Sequence, residues 1–131
     1  MSALLNKLKK GKVLVVGDVM LDKYLEGKAE RLSPESPVPV LTPLGEESRL
    51  GGSANVALNV SSLGSKVKLL GVVGKDLSGE EIKGLLKENK ISNSLVKSNL
   101  SSITKQRILA GNQQLLRNWK CYRSGNGPFS D

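Results

Sequence analysis

Apolar residues recur along the chain with two spacings, which predict strands alternating with helices. Two segments rich in valine and leucine, 12–17 and 66–74, each end in glycine, and the first is continuously apolar from Val13. Runs that are apolar on both faces are typical of buried strands in a parallel sheet, so we expect the first run to be a central strand. A helix is predicted between them, which makes the connection a parallel crossover and indicates an α/β fold.

Two helices are predicted from apolar residues spaced three and four positions apart. The first follows Gly51-Gly52 and ends at Gly64, with Ser53 as its expected cap and an apolar stripe of Val56, Ala57, Val60 and Leu63. The second follows Ser78-Gly79-Glu80-Glu81, which has the form of a capping box, and directs Ile82, Leu85 and Leu86 inward. Residues 2–10 have the composition of a short amphipathic helix.

The Gly51-Gly52 pair is a first candidate for a binding site. Glycine accepts positive φ and allows a ligand to approach the main chain closely. The first turn of the following helix offers unpaired N–H groups, and Asn55 adds an amide that can both donate and accept hydrogen bonds. A purely structural turn explains the same residues, and the pattern alone does not separate the two interpretations.

Two acidic residues follow the first predicted strand. Asp18 comes directly after it, and Asp22 lies four residues further on. Ligands of open α/β sheets bind beyond the carboxyl ends of the strands, so these carboxylates are candidates for binding sugar hydroxyls or a metal ion. For Asp18, a turn aspartate bonded to its own backbone is an equal alternative. Asp22 has no evident turn role, which favours a binding function.

Residues 23–50 interrupt the α/β pattern and predict a flap of two exposed strands. Four prolines lie within 33–43, so no helix can pass through this segment, whereas edge strands and extended connections tolerate proline. The apolar residues Val38, Val40 and Leu44 indicate that one face of the flap is covered, either by substrate or by the same flap of a second subunit.

The C-terminal half contains three shorter strand candidates, 94–97, 103–109 and 113–117. The last two are joined by a predicted turn at Ala110-Gly111-Asn112. Lys105 and Arg107 lie on one face of the middle strand by its two-residue period. Residues 118–131 lack periodicity and contain the only Trp, Phe and Cys of the chain, which predicts a divergent, disordered tail outside the fold.

Composition excludes several classes of function. The 131 residues include no histidine and one cysteine, Cys121. The lack of histidine argues against His-activated nucleophiles, and together with the single cysteine it argues against a transition-metal site. A single cysteine cannot form an internal disulfide and predicts a cytoplasmic location. The net charge of +8 is compatible with binding to nucleic acid, but the cations are scattered along the sequence and aromatic residues make up only 3%. We therefore expect an anionic small molecule as the ligand. Residues 1–12 are too short and too rich in lysine for a signal peptide or a membrane span.

Three segments taken together resemble the ribokinase-like (PfkB) carbohydrate kinases. They are Val15-Val16-Gly17-Asp18-Val19-Met20-Leu21-Asp22, Arg31-Leu32-Ser33-Pro34-Glu35-Ser36-Pro37-Val38-Pro39-Val40 and Gly51-Gly52-Ser53-Ala54-Asn55-Val56-Ala57. Within the family, the proline-rich run and Asn112-Gln113-Gln114-Leu115-Leu116-Arg117 are most similar to the heptose 7-phosphate kinases, which include the kinase half of the bifunctional ADP-heptose synthesis proteins. The resemblance covers residues 10 to about 117. It departs from the family at Ser53, where Gly, Ala or Pro is usual.

The resemblance implies a partial Rossmann-like ribokinase fold, a parallel sheet with flanking helices, plus a small β lid. The lid would comprise about 23–50 and part of 103–117 and would form a homodimer contact. A sugar phosphate would be the substrate, with ATP and Mg²⁺ as the family's cosubstrate and metal. The sugar would be bound by Asp18, Asp22, the backbone of Gly51 and Gly52, and Asn55. Lys105 and Arg107 are then candidates for the phosphate of the substrate, with a solvated strand face as an equal alternative.

The family's second signature, Gly-Ala-Gly-Asp at the start of a late helix, does not occur in this sequence. That motif supplies the anion hole and the catalytic base that transfer the ATP γ-phosphate to a sugar hydroxyl, which in heptose 7-phosphate kinases is the anomeric hydroxyl. Its absence predicts a truncated, substrate-binding part of a kinase, spanning 1–117, that is inactive alone and holds neither a catalytic residue nor an ATP or metal site. The alternatives are a fragment of another ribokinase-like sugar kinase, a non-catalytic module that binds a sugar phosphate or pairs through its lid, and a degraded gene product.

Overall fold

The computed structural model describes residues 11–121, together with Asn6, and residues 11–121 form two sheets and two helices. In chain order the elements are β1 (Lys12–Val16), β2 (Val19–Leu32), β3 (Pro39–Gly52), α1 (Ser53–Ser62), β4 (Lys66–Gly74), α2 (Leu77–Glu88), β5 (Ser92–Ser98), β6 (Ile103–Ala110) and β7 (Gln113–Lys120). A three-stranded parallel sheet has the order β1-β4-β5, and a four-stranded sheet has the order β3-β2-β6-β7. This is the predicted α/β architecture. Apart from Asn6, the helix expected over 2–10 lies outside the described residues.

Strand β1 lies at an edge of the parallel sheet, so the expectation of a central strand is wrong. Within residues 11–121 it pairs with β4 alone, from Lys12 opposite Lys66 to Val16 opposite Leu70. On its outer face Leu14 is 60% exposed and Val16 is 64% exposed. An apolar run shows that both faces of a strand suit burial, but it does not show that a second neighbouring strand is present.

The core lies between the parallel sheet and the two helices. Strand β4 buries Val67, Leu69 and Val73, and α2 buries Ile82 and Leu86 against them, as its spacing predicts. The face of α1 that enters the core consists of Ala54 and Ala57, with Leu58 and Val60 partly buried. Val56 and Leu63 are each 50% exposed, so the predicted stripe is only partly right. Small residues face the core here because α1 approaches the sheet closely.

Both helices begin differently from the prediction. The N-cap of α1 is Gly52, at φ 56°, and Ser53 makes no side-chain cap; instead its backbone N–H donates to the Asp18 carbonyl oxygen at 2.9 Å. The N-cap of α2 is Asp76, whose carboxylate accepts a hydrogen bond from the Gly79 N–H at 2.9 Å. The capping box that begins at Ser78 is therefore wrong. A carboxylate two residues upstream of Ser78 caps the helix instead, and its negative charge interacts favourably with the helix dipole.

The predicted flap is a long β-hairpin. Strands β2 and β3 pair antiparallel from Val19 opposite Gly52 to Leu32 opposite Pro39, with register shifts after Glu26 and after Ala29. Strand β3 lies at the sheet edge, where its prolines are tolerated. Strand β6 pairs parallel with β2 and antiparallel with β7. We refer to this four-stranded sheet as the lid sheet.

Strand β7 extends three residues beyond the boundary expected at Arg117. It ends at Lys120, and Trp119 lies opposite Lys105 of β6. Residues 118–120 therefore belong to the lid sheet and not to a separate tail. The remainder of the predicted tail, 122–131, lies outside the described residues.

Candidate functional site

One face of the lid sheet carries polar residues from adjacent strands. Strand β2 contributes Asp22 and, two residues later, Tyr24. Arg49 of β3 lies opposite Asp22, and on β6 Lys105 lies beside Asp22 while Arg107 lies beside Tyr24. Because directly paired residues of neighbouring strands point to the same side of a sheet, these five side chains share one surface.

Arg107 forms an ion pair with Asp22 at the centre of this surface. Its Nη1 donates to Asp22 Oδ1 at 3.3 Å and to the Tyr24 hydroxyl oxygen at 3.2 Å. The side chains of Arg107 and Asp22 are 22% and 21% exposed, whereas both partners of the Arg49–Glu47 pair are 58% exposed. Charges shielded from water interact more strongly than charges at a fully solvated surface. The Asp22–Arg107 pair is thus the better shielded of the two.

Two guanidinium groups flank the ring of Tyr24, one from each neighbouring strand. The Cζ atom of Arg49 lies 4.8 Å from the ring centroid and that of Arg107 lies 5.0 Å from it, within the range of cation–π interactions. Glu47 holds Arg49 through two hydrogen bonds of 2.7 Å, which lower the pKa of Glu47 and raise the pKa of Arg49. Tyr24 therefore positions two cations on the same face.

A second aromatic side chain holds the next cation along β6. The Nζ atom of Lys105 lies 4.8 Å from the ring centroid of Trp119. The predicted pair of Lys105 and Arg107 is therefore found on one face, with each cation contacting a different aromatic ring.

Close contacts explain why both residues of the diglycine are glycine. A Cβ atom on Gly51 would lie 2.8 Å from Asp22 Oδ2, so the absence of a side chain lets this carboxylate lie against the main chain. Gly52 has φ +56°, and a Cβ atom there would collide with the Asp18 carbonyl oxygen. Gly51 thus makes space in the site, and Gly52 forms the turn into α1.

A cavity of about 350 Å³ brings two of the predicted site residues, Asp22 and Asn55, together with two residues that were not predicted. Its lining includes Asp22, Tyr24, Arg49 and Asn55. Asp18 lines a separate cavity with Gly17 and Gly71. The structure therefore groups Asp22 with Gly51, Asn55 and Arg107, whereas Asp18 borders a different cavity.

Sequence reasoning missed Tyr24 and Arg49. Tyr24 could have been found, because a strand that begins at Val19 puts Tyr24 on the same face as Asp22. Arg49 could not be found this way, because its place opposite Asp22 depends on the pairing of β2 with β3.

Among the described residues, no group of three or more His, Cys, Asp or Glu side chains could hold a metal ion, so these residues do not provide a carboxylate cluster for the Mg²⁺ that the resemblance implies. No helix among the same residues is long and apolar enough to span a membrane.

Sequence comparison finds relatives among sugar kinases. The profile of the pfkB family carbohydrate kinases matches residues 10–123. The bifunctional protein HldE of Actinobacillus succinogenes is 53% identical over 107 residues, which is 81% of this chain and 22% of the relative. The D-beta-D-heptose 7-phosphate kinase of Bordetella bronchiseptica is 48% identical over 112 residues, which is 85% of this chain and 36% of the relative. The chain thus spans between about a fifth and a little over a third of the length of these curated relatives.

Solved structures support the fold. A carbohydrate kinase from Agrobacterium tumefaciens matches with a TM-score of 0.68 and 19% identity, over 84% of this chain and 35% of that one. The phosphofructokinase-2 of Escherichia coli in complex with fructose-6-phosphate matches with a TM-score of 0.62 and 19% identity, over 82% of this chain and 34% of that one. The predicted ribokinase-like fold and the family resemblance are confirmed, and the sequence match extends a few residues beyond the expected limit. This chain belongs to the pfkB family of carbohydrate kinases.

Proposed function

We propose that this chain forms the sugar-phosphate-binding part of a heptose 7-phosphate kinase. Its relatives include HldE proteins and a D-beta-D-heptose 7-phosphate kinase, which support a sugar kinase related to ADP-heptose synthesis. The observation that carries the proposal is the pairing of Asp22 with Arg107 beside Gly51. It places a carboxylate suited to hydroxyls 3.3 Å from a guanidinium suited to phosphate.

Each site residue has a proposed role that follows from its chemistry. Asp22 accepts hydrogen bonds from sugar hydroxyls, and the Asn55 amide both donates and accepts. Gly51 leaves space for the sugar against the main chain. Lys105 and Arg107 bind the phosphate of the substrate, because the Arg107 guanidinium can donate two parallel hydrogen bonds to a phosphate group and the Lys105 ammonium adds a second positive charge.

Asp18 and Gly52 complete the proposed cradle at the start of α1. The Asp18 carbonyl oxygen accepts a hydrogen bond from the Ser53 N–H at 2.9 Å and so holds the first turn of that helix. The proposal includes the Asp18 carboxylate as a further acceptor for sugar hydroxyls, although Asp18 lines a different cavity from Asp22.

We further propose that the 131-residue chain binds the acceptor sugar but does not itself transfer phosphate. PfkB kinases use ATP with a metal ion, yet the sequence contains no Gly-Ala-Gly-Asp motif to supply an anion hole and a base. A coupled assay of the purified chain is expected to show no release of ADP. Release that depends on both heptose 7-phosphate and ATP would refute this part of the proposal.

Calorimetric titration tests the binding function directly. We expect heptose 7-phosphate to bind and Asp22→Asn to weaken its binding by about tenfold or more, because the variant replaces a charged acceptor with a neutral amide. Glu88→Gln, an exposed change at the end of α2, is the matched control and is expected to bind normally. Preferential binding of ribose or fructose 6-phosphate would favour another sugar kinase of this family, and binding of none of these sugars would contradict the proposal.

We also propose that the lid sheet pairs with a second copy of the chain. Val38, Leu44 and Leu116 of this region are 51%, 66% and 56% exposed, and β3 and β7 are edge strands of the lid sheet. Analytical ultracentrifugation is expected to detect a dimer that Leu44→Lys weakens. A wild-type chain that stays monomeric at all concentrations tested would contradict this proposal.

A further inference from the structure

The Asp22 carboxylate is contacted on both of its oxygens. Oδ1 accepts the hydrogen bond from Arg107 at 3.3 Å, and Oδ2 lies so close to Gly51 that a Cβ atom there would come within 2.8 Å of it. The Asp22 side chain is 21% exposed, so few positions around it remain open to solvent. A sugar hydroxyl that donates to Asp22 must therefore compete with Arg107.

Arg107 is held on this face independently of Asp22. Its guanidinium donates to the Tyr24 hydroxyl oxygen at 3.2 Å and lies 5.0 Å from the centroid of the Tyr24 ring. Lys105 lies two residues away on the same face of β6 and is positioned by Trp119. Because Tyr24 retains Arg107 when the ion pair opens, both cations stay available to one anion on the lid sheet.

We infer that the Asp22–Arg107 ion pair selects phosphorylated sugars over unphosphorylated ones. The inference rests on the proposed sugar-binding function and adds to it a reason for discrimination. An unphosphorylated sugar would displace Arg107 from Asp22 and leave a largely shielded guanidinium without an anion, which is unfavourable. A sugar phosphate provides hydroxyls for Asp22 and phosphate oxygens for Arg107 in the same event, so each charged group exchanges one partner for another.

Arg107 therefore has two effects on specificity. It attracts the phosphate of the correct ligand, and it withholds Asp22 from sugars that lack a phosphate. A simple phosphate anchor would have the first effect only. The second effect distinguishes this inference from the proposed function, and it can be measured separately.

The test compares two ligands that differ only in the phosphate. We expect calorimetric titration of the 131-residue protein to show that D-β-D-heptose 7-phosphate binds about 30-fold or more tightly than the same heptose without the phosphate. In Arg107→Gln, the phosphorylated sugar should bind about tenfold more weakly, and the unphosphorylated sugar about three- to tenfold more tightly. Arg107→Lys should show smaller changes in the same directions, since lysine keeps the charge but lacks the planar fork.

Two matched variants control for charge alone. Lys105→Gln should weaken binding of the phosphorylated sugar with no gain for the other, because the Lys105 ammonium contacts the Trp119 ring, whereas the ion pair that occupies Asp22 is made by Arg107. Lys68→Gln should leave both affinities within about twofold, since this exposed lysine lies on β4 of the parallel sheet, outside the lid sheet, and its replacement removes the same charge. Circular dichroism establishes that each variant is folded.

Two results would overturn the inference, and they differ in what else they refute. If Arg107→Gln and Arg107→Lys bind the phosphorylated sugar more weakly and the unphosphorylated sugar no better, Arg107 is only an anchor, and the proposed function stands. If the wild-type chain binds neither sugar, the proposed function is refuted together with the inference.

Discussion

Replacing Asp76 with alanine is expected to destabilise the protein by about 2–4 kcal/mol, because this one carboxylate joins three elements. It accepts hydrogen bonds from the Gly79 N–H at 2.9 Å, the Ser102 N–H at 2.9 Å and the Ser102 hydroxyl at 2.6 Å. The Ser102 hydroxyl oxygen in turn accepts from the Gly74 N–H at 2.9 Å. Ser102 directly precedes β6, so the network connects the end of β4 and the start of α2 to the strand that carries Lys105 and Arg107.

The magnitude follows from two losses. Removing the N-cap of α2 costs about 1 kcal/mol. Ser102 is 1% exposed, and leaving its N–H and hydroxyl without their acceptor adds about 1–3 kcal/mol. Urea unfolding followed by circular dichroism measures the total. Ser78→Ala is the matched control, because a capping box would make Ser78 important, whereas the structure predicts a change below about 0.5 kcal/mol. An Asp76→Ala variant as stable as the wild type, or a larger loss in Ser78→Ala, would refute the reasoning.

The same residue predicts a pH dependence. Burial raises the pKa of Asp76, whereas hydrogen bonds from the side chain and backbone of Ser102 and from the backbone of Gly79 lower it. The hydrogen bonds outweigh the effect of burial, so the pKa of Asp76 lies below the ordinary value of 3.8. Since the pKa is lower in the folded state than in the unfolded state, the stabilisation is complete above about pH 5 and is lost as the pH falls through the ordinary value towards the folded-state value. The difference in unfolding free energy between wild type and Asp76→Asn should be constant above about pH 5 and should shrink below about pH 4. A difference that persists unchanged into strong acid would contradict this assignment.

Four further substitutions test local features of the fold and the site. Gly84→Ala should stabilise α2 by about 0.5–1 kcal/mol in urea unfolding, because a Cβ atom there meets nothing within 4 Å; a loss of stability would contradict this. Ser53→Ala should raise the unfolding free energy by up to about 1 kcal/mol, because the Ser53 hydroxyl is buried with no hydrogen-bond partner among the described residues; a lower thermal midpoint would show that the hydroxyl is bonded. Gly51→Ala should displace the Asp22 side chain and so weaken sugar-phosphate binding by about tenfold, while lowering the unfolding free energy by less than about 1 kcal/mol. Gly52→Ala should lower the unfolding free energy by more than about 2 kcal/mol, because Gly52 has a positive φ and a Cβ atom there would collide with the backbone. Equal effects of the two glycine variants on stability would count against the different roles assigned to them.

Much of the architecture can be predicted from the sequence because strands and helices are encoded locally. The apolar run before Gly74, the stripe of Ile82 and Leu86 and the turn at Gly111 each identify an element from a few neighbouring residues. Asp22, Gly51 and Asn55 could be selected in the same way, since a motif of the family spans each of them. Local patterns do not identify which strand lies beside which, and for that reason β1 was expected in the centre of a sheet.

The chemistry of the site depends on contacts between residues that are distant in sequence. Element types and charged residues can be predicted from the amino-acid sequence because they depend on composition and short-range spacing, and the family can be predicted from three segments that resemble it. The folded structure is needed to show that Arg107 pairs with Asp22 across 85 positions, that Arg49 and Arg107 flank Tyr24, and that Asp18 borders a different cavity from Asp22. The physical reason is that strand register determines which side chains share a face, and register is set by the pairing of whole strands and by their bulges.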